Sequence, residues 1–186
     1  MLVLIIGVLL FAGVHFIPSL APGVKSAWQA KLGENGYKGI FSLLLLGSFA
    51  LMIMGWRSSQ PQFLYALPGS VRHLSMALSV FALLLFVVSN RPSRLRGVFR
   101  HPQLSGVAIW AIAHLLVNGD SRSLVLFGGL LLWSVVEIIT INRRDGAWQK
   151  DATPPVKTDI INVVVTAVVV AVVVWAHPWL SGVALY

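Results

Sequence analysis

Cysteine is absent from this chain of 186 residues, and with it go disulfides, cysteine-bound zinc, iron–sulfur clusters and thiolate-ligated haem. Any metal centre rests on nitrogen or oxygen ligands. Acid is nearly as scarce, with six Asp and Glu against fourteen Lys and Arg, for a net charge of +8. The basic residues fall in the gaps between apolar runs and form no patch with interleaved aromatics, which argues against a nucleic-acid partner. Also missing are an HExxH zinc motif, a GxSx nucleophile with a partner histidine and a glycine loop shaped for phosphate.

What the chain has is apolar sequence, 57% of its residues, with mean hydropathy +0.83. That exceeds the need of a water-soluble core and makes a lipid bilayer the expected partner. Six runs, near 2–21, 39–56, 71–89, 103–118, 123–142 and 160–180, approach the ~20 residues of a helical crossing. None alternates apolar and polar positions as a membrane strand would. The Val-rich INVVVTAVVVAVVVWAHPW has strand propensity, but a bilayer requires backbone hydrogen bonds within the segment, so it reads as the sixth helix. The leading MLVLIIGVLLFAGVHFIPSL lacks the basic start of a cleaved signal and reads as a retained first span.

The expected fold is therefore an all-α, polytopic membrane helical bundle of about six transmembrane helices, one domain over 1–186. Eleven of the fourteen Lys and Arg lie in alternate connections: Lys25, Lys31 and Lys38; Arg91, Arg94, Arg96 and Arg100; Arg143, Arg144, Lys150 and Lys157. Arg57, Arg72 and Arg122 lie on the other side. Because positive connections stay in the cytoplasm, both termini are expected to be non-cytoplasmic.

Ionisable groups inside a span are costly and mark candidate sites. His73 and His177 fall near outer span ends, where headgroups accommodate them. His15 in span one, His114 in span four and Glu137 in span five occupy one half of the membrane. Gln103, Gly106, Trp110, His114 and Asn118 share a stripe of span four at 100° per residue, and Trp133, Glu137, Thr140 and Arg144 share one on span five. Glu137 is open to a packing role, neutral or paired with Arg144. His101 and His114, thirteen residues and about 20 Å apart, cannot grip one metal ion; His101–Pro102 reads as a helix start beside Arg100. Two imidazoles at similar depth suit the axial ligands of haem b, with His15 and His114 on the metal, Trp110 as a flat wall and the arginines of the third connection for the propionates. They equally suit hydrogen bonds to carbonyls.

GVHFIPS, FRHPQLSGVAIWAIAHLL and NRRDGAW resemble segments of the NnrU family, bacterial membrane proteins associated with nitrite and nitric oxide reduction and related to 15-cis-ζ-carotene isomerase. The resemblance spans most of the chain and is most specific at RHPQ with Ala113–His114 thirteen residues on. It implies haem b held by His15 and His114, a multi-pass protein of the bacterial cytoplasmic (inner) membrane, and a lipophilic small molecule as possible partner. It leaves open whether the protein is an enzyme, a haem-dependent cis–trans isomerase being the form catalysis would take; no catalytic residue is assigned. Where isomerases of this group have a cysteine three residues before the second histidine, this chain has Ala111. A fainter resemblance joins Arg100, His101, Pro102 and Gly106 to the RHPxYxG segment of membrane methyltransferases such as isoprenylcysteine carboxyl methyltransferase. Leu104 stands in place of the tyrosine, and Glu137 stands alone where those enzymes have an acidic pair. S-adenosylmethionine chemistry is thus the alternative, and a non-catalytic accessory membrane protein the third reading.

Overall fold

The computed structural model describes residues 1–150 and 152–182; the C-terminal residues, whose side of the membrane was an expectation, lie outside them. Six helices follow in order: α1 Leu2–Leu20, α2 Pro22–Ser58, α3 Val71–Ser89, α4 Pro102–Leu115, α5 Ser121–Asp145 and α6 Val156–Ser181. Among the described residues the only strand-like feature is one bridge between Phe63 and Asp120. Leu2, Leu9, Leu43, Leu46, Leu132 and Val172 are all more than half exposed. An apolar outer surface of that extent needs lipid rather than water around it.

Among the described residues five helices, α1, α2, α3, α5 and α6, are long and apolar enough to cross a membrane. The fourth apolar run departs from expectation: α4 has 14 residues, about 21 Å at 1.5 Å per residue, short of a full span. Its far end is covered by the α2–α3 connection, which turns inward over it. Leu64 and Tyr65 donate backbone N–H to the Gly119 carbonyl at 2.8 and 3.1 Å, and Ser121 donates to the Gln62 carbonyl at 2.9 Å. The Tyr65 hydroxyl donates to the Leu115 carbonyl. The backbone polar groups exposed by ending α4 early are thus satisfied by protein.

The first connection also departs from expectation. Lys25, Lys31 and Lys38 stand on helix, not loop, because Pro22 opens α2 almost at once and the chain bends at Gly33, whose φ of 72° only glycine adopts without strain. α1 and α2 then pack as a tight antiparallel pair. A Cβ on Gly7 would lie 2.7 Å from the Met52 nitrogen, and one on Gly55 would overlap the Leu4 backbone. Small residues let the two backbones approach this closely.

Packing runs α2, α1, α5, α4, α3, α6, each helix against the next, so α5 stands between α1 and α4. Leu4, Val8, Phe11, Met52, Leu130 and Trp133 form the core, with Leu104, Val107 and Trp110 of α4 packed on it. Most of the basic residues gather at one end. There Arg144 donates to the Pro18 carbonyl at 3.2 Å, Arg100 to the Gly146 carbonyl at 2.7 Å, and Arg94 to the Pro154 carbonyl at 3.3 Å.

Candidate functional site

His15 lies on the α1 stripe that carries Phe11 one turn earlier. Its ring sits 4.2 Å from Phe11, 4.8 Å from Trp133 of α5 and 5.8 Å from Phe41 of α2, centroid to centroid. Its Nδ1 lies 2.9 Å from the Phe11 carbonyl oxygen. His114 repeats the device on α4: Nδ1 lies 2.9 Å from the Trp110 carbonyl oxygen, and the ring is 4.7 Å from Trp110 and 4.6 Å from Phe127 of α5. A carbonyl only accepts, so each Nδ1 carries the proton and each Nε2 keeps its lone pair. Metal-ligating histidines usually have this arrangement, the second nitrogen donating to a carbonyl that fixes tautomer and ring orientation.

Phe127 reaches His114 because α5 widens locally. Leu124–Gly128 forms a π-turn, and the Phe127 ring inserts among Trp110 (5.1 Å), His114 and Trp56 (6.2 Å). Such bulges recur at functional sites. Trp133 carries the second unusual feature, an indole Nε1–H buried without a hydrogen-bond acceptor among the described residues. A buried orphan donor costs roughly 1–3 kcal/mol, and this one belongs to the ring against His15. An acceptor on a group held there would relieve that cost.

Donor chemistry therefore fits a haem: two prepared imidazoles, aromatic walls and one unpaired donor. Their placement sets the terms. Trp133 and Phe127 are six positions apart on α5, about 9 Å along its axis, so the imidazoles lie at two stations of one aromatic seam. One iron held by both nitrogens would draw them to about 4 Å, two metal–nitrogen bonds of ~2 Å. Among the described residues no three of His, Asp and Glu cluster as a metal site.

The other candidates hold the frame around this seam. Glu137, 6% exposed, accepts a 2.9 Å hydrogen bond from the Ser19 hydroxyl, tying α5 to α1 one turn below Trp133. Arg144 is not its ion-pair partner: that guanidinium pairs with Asp145 at 2.7 Å and reaches the Pro18 carbonyl. Asn118 donates its side-chain amide to the His114 carbonyl at 2.9 Å, closing the end of α4. His101 Nε2 meets Asn142 Oδ1 at 3.0 Å, and with Arg100 on Gly146 this pins the start of α4 to the end of α5. His114 stands twelve residues, about 18 Å, along α4 from Pro102, so Arg100 and His101 are not brought together with it. His177 of α6, read from sequence as interfacial, comes within electrostatic reach of His114 and lies 3.0 Å from the Ser181 hydroxyl through Nδ1. His73 is exposed at the start of α3.

Sequence reasoning missed Phe11, Phe41, Phe127 and Ser19. An aromatic four positions before His15 was a readable signal at helical spacing. Ser19 and Phe127 depend on which helices become neighbours, and no local pattern carries that.

Compared with known families, residues 3–185 match the family model described as NnrU protein. No curated protein and no solved structure matches the chain.

Proposed function

The chain belongs to the NnrU family over residues 3–185, and from that premise we propose that it is a multi-pass membrane haem b protein in which His15 and His114 would hold the iron. Its main support is the matched preparation of the two imidazoles, each with Nδ1 spent on its own helix at 2.9 Å and Nε2 left open. The orphan Trp133 indole beside His15 adds to it. When bound, haem b supplies an iron that passes between the ferric and ferrous states.

The residues of this chain would do the rest. The Phe11 and Trp110 carbonyls hold each ring in one tautomer and orientation. Phe11, Trp133, Trp110 and Phe127 keep water from the seam. Ser19 and Glu137 hold α1 against α5 at the height of the first imidazole. The roles that the family resemblance supports for this centre are nitrite and nitric oxide metabolism, or cis–trans isomerisation of a lipophilic polyene. The bacterial cytoplasmic membrane, with the basic end inside, is the location that goes with it.

The test is the absorption spectrum of the full chain purified in detergent from haem-supplied cells. A Soret band that moves on reduction is the expected result. A folded, pure protein without that band overturns the proposal.

A further inference from the structure

A second site lies at the basic end, remote from the histidines. A cavity of about 450 Å³ opens between the α3–α4 and α5–α6 connections, lined by Arg91, Arg94 and Arg96 together with Asn90, Thr153 and Pro154. Its size is that of an ordinary small-ligand pocket.

Arg91 and Arg94 are each held in place through Nε. Arg91 donates Nε to Asn162 Oδ1 at 2.8 Å; Asn162, only 2% exposed, is itself fixed by donating to the Pro92 carbonyl at 3.0 Å. Arg94 donates Nε to the Pro154 carbonyl at 3.3 Å, and Arg96 donates from one terminal nitrogen to the Ser89 carbonyl at 3.0 Å. Anchoring through Nε leaves the forked end of a guanidinium unused. Among the described residues the terminal nitrogens of Arg91 and Arg94 have no hydrogen-bond partner.

Among the described residues one acid stands near, Asp159 at the start of α6, and it is already engaged. It accepts from the Ser93 hydroxyl at 2.7 Å and the Arg94 backbone N–H at 3.1 Å, and lies 3.8 Å from Arg94 Nε. Among the described residues Arg91 and Arg94 bring two guanidinium charges against this one engaged carboxylate. Planar, pre-positioned forks match the oxygens of phosphate in a way that flexible ammonium groups do not.

We propose that this cavity binds a phosphate-bearing anion through the forked ends of Arg91 and Arg94. Its position favours the headgroup of an anionic phospholipid as the source. The cavity sits where α3 ends and α6 begins, the depth at which headgroups meet a helical bundle, and basic pockets between spans are a recurring means of holding such lipids.

Thermal unfolding of the full chain in a zwitterionic detergent tests this, with dioleoylphosphatidylglycerol, dioleoylphosphatidylcholine or inorganic phosphate added. Saturable stabilisation by the glycerol lipid and none by the choline lipid is expected. The midpoint concentration should rise at least tenfold in Arg91→Gln and Arg94→Gln. Lys25→Gln and Lys31→Gln, which remove equal charge elsewhere at the same end, should leave it unchanged. Equal stabilisation by inorganic phosphate would keep the anion site and assign it to free phosphate rather than lipid. No saturable shift with either phosphate source overturns the site, whether or not a variant folds. A shift that survives intact in folded Arg91→Gln and Arg94→Gln overturns it too.

Discussion

Asp120 caps α5 with an unusual concentration of donors. It accepts from the backbone N–H groups of Arg122 and Ser123, both at 3.0 Å, and from the Ser123 hydroxyl at 2.7 Å, with Arg122 Nε 3.8 Å away. Burial alone would raise its carboxyl; the Ser123 hydroxyl, those N–H groups and the Arg122 charge outweigh it and hold the group below the usual carboxylate range. A carboxyl lowered in the folded state stabilises above its unfolded value, about pH 4, and the gain disappears as pH falls through the folded value. Wild type should therefore melt above Asp120→Asn at pH 6, with the gap closing below about pH 4; a gap constant from pH 6 to 3 would contradict this. Deep in the bundle, Ser19→Ala should cost about 1–3 kcal/mol by stripping Glu137 of its hydroxyl partner, read from denaturant unfolding in detergent. Residues such as these show where sequence reading stops. The stripe of Trp133 and Glu137 was legible from helical spacing alone. The partner of Glu137 was not, since Ser19 lies 118 positions away and the nearest visible cation, Arg144, turns to Asp145 instead.

At the scale of elements, apolar runs give helices reliably because a bilayer admits little else. Val71–Ser89 appears with the limits its hydropathy assigns it. Less was visible where the chain leaves the hydrocarbon. The stretch around Lys25 and Lys31 is polar enough to read as a loop, yet Pro22 starts a helix there and Gly33 only bends it. The length of α4 was concealed for the converse reason: Leu116 and Val117 continue the apolar pattern, while the turn is set by residues 59–70 folding over it. The π-turn at Leu124–Gly128 leaves no mark in hydropathy either. Where backbones nearly touch, the structure predicts a sharp contrast within α2. Gly55→Ala should cost about 1–3 kcal/mol, since the new methyl meets Leu4 backbone that cannot step aside. Gly47→Ala, with no atom within 4 Å of its new methyl, should be neutral or stabilising by up to about 1 kcal/mol. Unfolding of both variants in detergent compares them directly, and equal effects would show that the α1–α2 contact is looser than described.

Across the whole molecule, one end collects most of the cations and the other is tied by Tyr65, Gln62 and Ser121. A chain without native cysteine offers a clean test of which end faces inward. Ala152→Cys should react with a membrane-impermeant maleimide only in inside-out vesicles, and Gln62→Cys only in right-side-out ones; the reverse pattern would invert the assignment from positive charge. The central claim concerns the seam between the two ends, where α5 presents Trp133 to one imidazole and Phe127 to the other. The most direct measurement is haem per chain, with the spin state of the ferric iron, in wild type, His15→Ala, His114→Ala and His177→Ala. The account predicts near one low-spin haem in wild type and His177→Ala, and loss of haem or conversion to high spin in each of the other two. Full low-spin occupancy retained by folded His15→Ala or His114→Ala would contradict it.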